Sequence, residues 1–318
     1  MKAKLLITSG KLLVTSGTAA CLGIMAALMP ADVQAAQVNA TLSWVTGDYG
    51  TTYDYSGPRL DMTINPDGSN WYYDLGFRKQ LHDTDQRYQR MEVSAGYRFR
   101  FAEGWVQPSF RLREDLSTYA SGNRTTINFY DAKVAGQYQL SERFAFVGNM
   151  IVGMEREEAN TASNLVERNS DRLSWEIEPG IRFKSSANTQ MTLNYFNAGK
   201  RSDKGETWGL SDDSKNQQVR FYFNWNTPIG LVLTPYARYS LDYGETSGWY
   251  ESAAFSETKT MSKVDRLALQ LAYPLSDTFR LQAEYYIENV KYQEGYTMGK
   301  DDSRVKYMRV GVRATFLN

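Results

Sequence analysis

From about residue 37 onward, apolar and polar residues alternate with a period of two. Leu60, Met62 and Ile64 alternate with Arg59, Asp61 and Thr63. Leu173, Trp175, Ile177, Ile181 and Phe183 alternate with Arg172, Ser174, Glu176, Glu178, Gly180 and Arg182. Val219, Phe221, Phe223 and Trp225 alternate with Gln218, Arg220, Tyr222 and Asn224. Leu267, Leu269, Leu271 and Tyr273 alternate with Arg266, Ala268, Gln270 and Ala272. Alternation of this kind sorts the two classes onto opposite faces of a strand. It predicts fourteen strands, at 37–46, 58–65, 71–79, 86–101, 106–116, 125–140, 144–156, 170–184, 189–199, 217–226, 231–242, 263–273, 278–292 and 303–316. Most run well beyond the roughly five to six residues of an ordinary strand. They match the roughly nine to eleven that a tilted strand needs to cross a bilayer. No amphipathic helix of useful length falls between them.

The connections come in two kinds, and they alternate. The short ones are NPDGSN (65–70), AEGW (102–105), SER (141–143), SSAN (185–188), TPIG (227–230) and PLSDT (274–278). The long ones fall near 47–57, 80–85, 117–124, 157–169, 200–216, 243–262 and 293–302. An even strand number, short turns at one rim and long loops at the other are the habit of bacterial outer-membrane barrels. The predicted fold is all-β: a transmembrane, antiparallel, up-and-down β-barrel with short periplasmic turns and long extracellular loops. Trp71, Trp105, Phe144, Trp225, Tyr273 and Phe279 stand near strand ends, where interfacial girdles belong. Pro108, Pro179 and Pro235 fall on the apolar face inside strands. A barrel has no edge strand to accept a proline, so bulges or local breaks are expected at all three.

The first residues have a different character. Lys2, Lys4 and Lys11 precede an apolar, small-residue run that Pro30 ends, and Val33-Gln34-Ala35 supplies small residues before a cut at Ala36. Residues 1–35 are expected to be a cleaved signal peptide and 36–318 a single barrel domain. An N-terminal membrane anchor is the alternative. The single cysteine, Cys21, lies inside the leader, so no disulfide is expected in the mature chain. Without 1–35 the chain keeps 33 basic and 35 acidic residues, a balance that excludes a broad nucleic-acid surface. No later segment approaches a transmembrane helix.

The inward face is strongly charged. Its basic positions are Arg59, Arg78, Arg90, Arg98, Arg100, Arg111, Arg113, Lys133, Arg172, Arg182, Arg220, Arg238, Arg266, Arg280, Arg309 and Arg313. Its acidic positions are Asp61, Asp74, Glu92, Asp131, Glu155, Glu176, Glu178, Glu284 and Glu288. Arginine outweighs lysine, and a planar fork holds a fixed geometry better than a flexible ammonium. Tyr72, Tyr222, Tyr236, Tyr286 and Tyr307 add flat faces and hydroxyls, as sugar sites often do. Two readings stand side by side: the charges satisfy one another and hold the wall round, or some arginines and tyrosines contact solute. The excess of positive charge predicts a weak preference for anions. Fourteen tilted strands about 4.8 Å apart give a backbone diameter of roughly 28 Å, wide enough for water.

One hairpin can be given a register. With AEGW (102–105) as a four-residue turn, Arg98 faces Ser109, Gly96 faces Arg111 and Ser94 faces Arg113. No arginine then lies opposite another, and Gly96 leaves room for Arg111.

The last strand contains VGVRATF (310–316), which looks like the C-terminal strand signal of outer-membrane barrels, here followed by Leu317 and Asn318. FRLQAEYYIENVKY (279–292) is similar in style to the penultimate strand of the OmpG-type monomeric porins, and the fourteen-strand architecture resembles theirs. That resemblance implies a monomeric outer-membrane channel passing mono- to oligosaccharides with little selectivity. The architecture also resembles the cyclodextrin channel CymA, in which an N-terminal segment plugs the lumen. Strand one here starts almost at the cleavage site and leaves little for a plug. OmpG-type channels close at low pH through a sixth loop and a histidine pair. This chain has one histidine, His82, so a histidine-pair gate cannot operate; the resemblance still makes loop 243–262, with Glu245, Trp249, Tyr250, Glu251 and Glu257, a candidate gating loop driven by its carboxylates.

Two other functions remain open. LHDTDQ (81–86) sets His82 beside Asp83 and Asp85, as an acid–histidine enzyme site would, but without a further partner constellation. Seven long polar loops could instead serve an adhesin or structural barrel. No metal cluster or glycine-rich phosphate loop is present, so no cofactor and no catalysis are expected. The expected partners are the lipid bilayer and small sugars or other hydrophilic solutes.

Overall fold

The computed structural model describes residues 36–50, 54–160, 166–202, 213–250, 256–297 and 300–317. The signal-peptide reading of 1–35 lies outside them, as does Glu251. The described residues form β1 (Ala36–Asp48), β2 (Tyr55–Pro66), β3 (Trp71–His82), β4 (Arg87–Tyr97), β5 (Phe99–Phe101), β6 (Gly104–Thr118), β7 (Arg124–Gln139) and β8 (Phe144–Asn160). They continue with β9 (Val166–Lys184), β10 (Thr189–Ser202), β11 (Asp213–Asn226), β12 (Val232–Ser240), β13 (Gly244–Tyr250), β14 (Ser256–Pro274), β15 (Phe279–Tyr292) and β16 (Ser303–Leu317). β4 and β5 make one stave, as do β12 and β13. The result is a closed, antiparallel barrel of 14 staves.

Each stave pairs with its sequence neighbour, and β1 closes on β16 from Gln37 opposite Leu317 to Asp48 opposite Lys306. Closure satisfies every strand edge, so no ladder of free N–H and C=O groups faces outward. Alternation then sorts the faces. Leu42, Trp44, Phe110, Ile181, Leu193, Leu267 and Met308 are exposed on the outside. Burial falls mainly on the inside, where Val45, Asp131, Glu155, Arg172 and Tyr236 are nearly covered, although Tyr73 and Val93 are covered on the outer face. Outward charges such as Lys79, Glu114 and Arg156 stand toward the loop ends of their staves.

The prolines break the ladder without shifting it. Pairing of β9 with β10 stops between Asn194–Gly180 and Asn197–Ile177, around Pro179. Pairing of β11 with β12 stops between Tyr222–Tyr236 and Trp225–Leu233, around Pro235. Pro108 falls where β4 gives way to β5, between Gly96–Ser109 and Phe99–Val106. A fourth gap surrounds Pro58, between Ser56–Leu81 and Arg59–Arg78. Proline lacks an N–H, so each gap is the missing donor, and the same register resumes beyond it.

The long loops are shorter than the sequence pattern indicates, because the staves run past the apolar belt. β8 and β9 pair out to Asn160–Val166. Much of 243–262 is the hairpin β13–β14, paired from Gly244–Ser262 to Tyr250–Ser256, and β13 also pairs with β11. This segment continues the wall as sheet. No apolar alternation announces it in the sequence, and backbone pairing carries it. Between β12 and β13 the ladder is interrupted, and Ser240 stitches the break. Its Oγ donates to the Val264 carbonyl at 3.0 Å and accepts from the Val264 N–H at 2.9 Å.

The hairpin at 96–113 turns more tightly than expected. Phe101 lies opposite Gly104, Arg100 opposite Trp105, Ser94 opposite Arg111 and Glu92 opposite Arg113. Ala102 and Glu103 alone make the turn, so the register moves by two residues and the faces stay as read. Gly96 accommodates Tyr72, not Arg111: a Cβ there would run into the Tyr72 ring.

Candidate functional site

Every basic and acidic inward position named from the sequence is on the strand parity that faces the lumen, and the register decides which of them meet. From β6 to β11 acids and bases meet across adjacent staves. Arg111 Nε donates to Asp131 at 2.8 Å. Arg172 is buried between Glu157 at 2.6 Å and Glu155 at 3.5 Å, and Lys200 reaches Glu155 at 2.8 Å. Arg220 contacts Glu178 at 3.0 Å, and Asn194 donates to the same carboxylate at 2.9 Å. Glu176 lies among them in the same arc. A carboxylate opposite a guanidinium is the favourable cross-strand pair.

Elsewhere arginine faces arginine. Arg59 on β2 lies opposite Arg78 on β3, which lies opposite Arg90 on β4. Arg220 on β11 lies opposite Arg238 on β12, which lies opposite Arg266 on β14. Arg280 lies opposite Arg313 near the turn end. Directly opposed like charges are destabilising. The outer members of each triple row carry a carboxylate: Arg59 with Asp61 at 2.7 Å, Arg90 with Asp115 at 2.8 and 2.9 Å, Arg220 with Glu178, and Arg266 with Glu288 at 2.8 Å. Among the described residues the central members, Arg78 and Arg238, have no ion pair, and the Nε of each is buried without a hydrogen-bond partner.

The remaining candidates are held by neutral or acidic neighbours. Arg98 donates to Gln107 at 2.6 Å, Arg100 to Asn70 at 3.3 Å, Arg182 to Gln137 at 2.7 Å and Arg313 to Asn39 at 2.7 Å. Arg113 stands 3.5 Å from Asp115, and Arg309 stands 3.4 Å from Glu284. Glu284 also accepts from the Tyr236 hydroxyl and from Gln270, both at 3.0 Å. Glu92 lies over Gly76. Glu245 pairs with Lys259 at 2.9 Å across the β13–β14 hairpin. Trp249, Tyr250 and Glu257 lie on that hairpin, where the backbone alone is described.

Two large cavities open on the inner wall among the described residues, and a smaller one lies beside Arg280 and Arg313. One of about 430 Å³ is lined by Arg59, Arg78, Arg238, Arg266, Glu284, His82 and seven tyrosines. Tyr222, Tyr236, Tyr286 and Tyr307 are among them, with Tyr49, Tyr55 and Tyr88 added. Tyr286 and Tyr307 stack at 4.4 Å, and Tyr222 and Tyr236 at 5.4 Å. The second, of about 510 Å³, is lined by Arg111, Arg113, Glu176, Arg220, Phe129 and Phe196, and shares Arg238 and Arg266 with the first. Arg90 and Arg172 line neither and act within the wall.

Three placements differ from the sequence reading. Trp105 belongs to the inward face, not to a girdle, and Arg98 lies over its ring at 4.7 Å. His82 is the last residue of β3, paired with Tyr55 and lining the first cavity, because β3 runs on through the segment read as a loop. Phe129 and Phe196 are buried apolar residues on the charged face, and Arg113 and Arg220 cover their rings at 3.4 and 3.3 Å. The sequence signal for Tyr88 and Asp115 was present, since each stands two residues from a lumen arginine. Tyr55 was hidden by Pro58, which ended the recognisable strand.

No family model matches the chain, and no curated relative matches its sequence. Among solved structures, a TodX mutant described as a monoaromatic hydrocarbon channel superposes with a TM-score of 0.51 at 9% identity, over 89% of this chain and 90% of that one. CdiB from Acinetobacter baumannii superposes with a TM-score of 0.50 at 10% identity, over 88% of this chain and 60% of its own length. The Pseudomonas putida toluene transporter TodX gives 0.48 at 10% identity, over 94% and 93%. The likeness is one of fold: this chain is built as an outer-membrane-type β-barrel.

Proposed function

We propose that the protein is an outer-membrane channel, exported by a cleaved leader (1–35), that lets small hydrophilic solutes diffuse across with a weak preference for anions. The observation that carries this reading is the sorting of the two faces. An unbroken ring of staves turns leucine, isoleucine, phenylalanine and tryptophan outward and arginine, carboxylate and tyrosine inward. An apolar outer belt suits lipid, and a polar inner face suits water and solutes. The inner charge also favours polar solutes over the monoaromatic hydrocarbons of the TodX channel. Sugars are the favoured class, because tyrosine hydroxyls and glutamine amides line the inner cavity and suit a solute with many hydroxyls. The barrel works as a monomer and without catalysis. The test is planar-bilayer recording of the purified full-length protein, with liposome swelling over a series of neutral sugars. The expected result is stepwise conductance, swelling that slows with sugar size, and an anion-preferring reversal potential in a salt gradient. Absence of conductance sinks the channel reading in favour of an adhesin or structural barrel, and a cation-preferring potential sinks the selectivity.

A further inference from the structure

Arg78 and Arg238 are the centres of two separate arginine rows, and both line the cavity of about 430 Å³. Neighbouring carboxylates neutralise the flanking arginines of each row and leave the centres open. The Nε of each central guanidinium is buried and unpartnered. A guanidinium cannot shed its proton, so each is a fixed charge without a counter-ion, an expensive arrangement inside a wall. The Nε atoms are out of a ligand's reach, but both side chains are half-buried and line the cavity, so a ligand carboxylate would supply the missing counter-charge at the terminal nitrogens, whose planar spacing it matches. Between the two rows, on β15 and β16, Tyr286 and Tyr307 form a parallel stack, with interplanar angle 12°. Arg266 lies over the Tyr286 ring at 3.9 Å and Tyr307 is buried, so the stack is closed and the cavity's tyrosine hydroxyls and the amides of Gln80 and Gln270 are what a sugar's hydroxyls would meet. Glu284 lines the same cavity and disfavours a doubly charged phosphate more than a singly charged carboxylate. The volume lies within the roughly 300–1,000 Å³ of small-molecule sites.

We infer that this cavity binds an acidic oligosaccharide, with one sugar carboxylate held by the Arg78 row, a second held by the Arg238 row, and the sugar hydroxyls between them on the cavity's tyrosine hydroxyls and glutamine amides. The inference rests on the channel reading, and it turns weak anion preference into recognition of a solute class.

The test is isothermal calorimetry on the full-length protein in detergent, with a disaccharide of two uronic acids as probe. Its dimethyl ester, neutral maltose, succinate and inorganic phosphate are the comparison arms. The acidic disaccharide is expected to bind at least about tenfold more tightly than the ester or maltose. R78Q and R238Q should each weaken it by roughly tenfold to a hundredfold, the effect of losing one charge-assisted contact. R78K, which keeps the charge without the fork, should fall between. Equal binding of the ester, or unchanged binding by both glutamine variants, overturns the site. Succinate or phosphate binding as tightly as the disaccharide overturns the saccharide assignment. Conductance of the same preparations separates the two readings. Binding without conductance defeats the channel and spares the site, whereas conductance without binding defeats the site alone.

Discussion

Two arcs of the same wall are made from the same residue types and reach opposite electrostatic states. From β6 to β11 the register sets Arg111 against Asp131 and Arg172 against Glu155, and the charges close on themselves. On β2–β4 and on β11, β12 and β14 it sets arginine against arginine, and the central members stay open. Composition does not distinguish the arcs; register does. A closed pair rigidifies the wall and is silent toward solutes. An open row costs stability and leaves binding capacity in the lumen. Variants that lose stability in one arc and keep it in the other test that division.

The largest effect belongs to the closed arc. Arg172 is 5% exposed, and its guanidinium lies between Glu155 and Glu157. Arg172→Leu removes the cation that lies between the two carboxylates, while Lys200 stays on Glu155. The expected loss is about 3–5 kcal/mol, as for breaking one side of a buried pair. Equilibrium urea unfolding in lipid vesicles reads it. A loss under about 1 kcal/mol would show that these charges are solvated after all.

A smaller effect compares two neighbours in one row. Arg90→Gln removes the two hydrogen bonds to Asp115, while Arg113 remains 3.5 Å away. It should cost about 1.5 kcal/mol, the low end for bonds to a charged group. Arg78→Gln, one stave over, removes a charge with no counter-ion from between two others. It should change stability by less than about 0.5 kcal/mol, or raise it. If Arg78→Gln costs as much as Arg90→Gln, the open row is structural and the contrast between the arcs fails.

Much of this architecture was legible in the sequence, and the limit of legibility has a physical cause. Side-chain alternation is a property of one strand, so Arg59, Glu176 or Arg266 could be assigned to the lumen residue by residue. Register belongs to two strands and depends on the turn between them. AEGW admits a four-residue or a two-residue turn, and only the tighter one sets Arg113 opposite Glu92. The rows through Arg78 and Arg238 are likewise invisible until three staves are aligned. Prolines announced their ladder gaps, because a missing N–H is written in the residue itself. Phe129 and Phe196 could not be anticipated: an apolar ring on a charged face makes sense only once Arg113 and Arg220 are seen to cover it.

The smallest expected effect lies at the turn-side rim, where Arg98 and Arg100 are held by the neutral groups of Gln107 and Asn70. Replacing all four arginines of this hairpin would mix two causes, because Arg111 and Arg113 serve Asp131 and Asp115. The pair R98Q and R100Q isolates the rim charge, since no carboxylate loses its partner. The barrel should fold unchanged, and the anion-to-cation permeability ratio should fall by less than about twofold at 0.1 M salt, where the screening length is about 10 Å. At 1 M salt, with a screening length of about 3 Å, the shift should vanish. Charges set inside the wall are screened much less, so the preference due to Arg78 and Arg238 should persist at 1 M salt and fall in R78Q and R238Q. A rim effect that survives high salt, or an interior effect that does not, would place the selectivity of the lumen in the wrong arc.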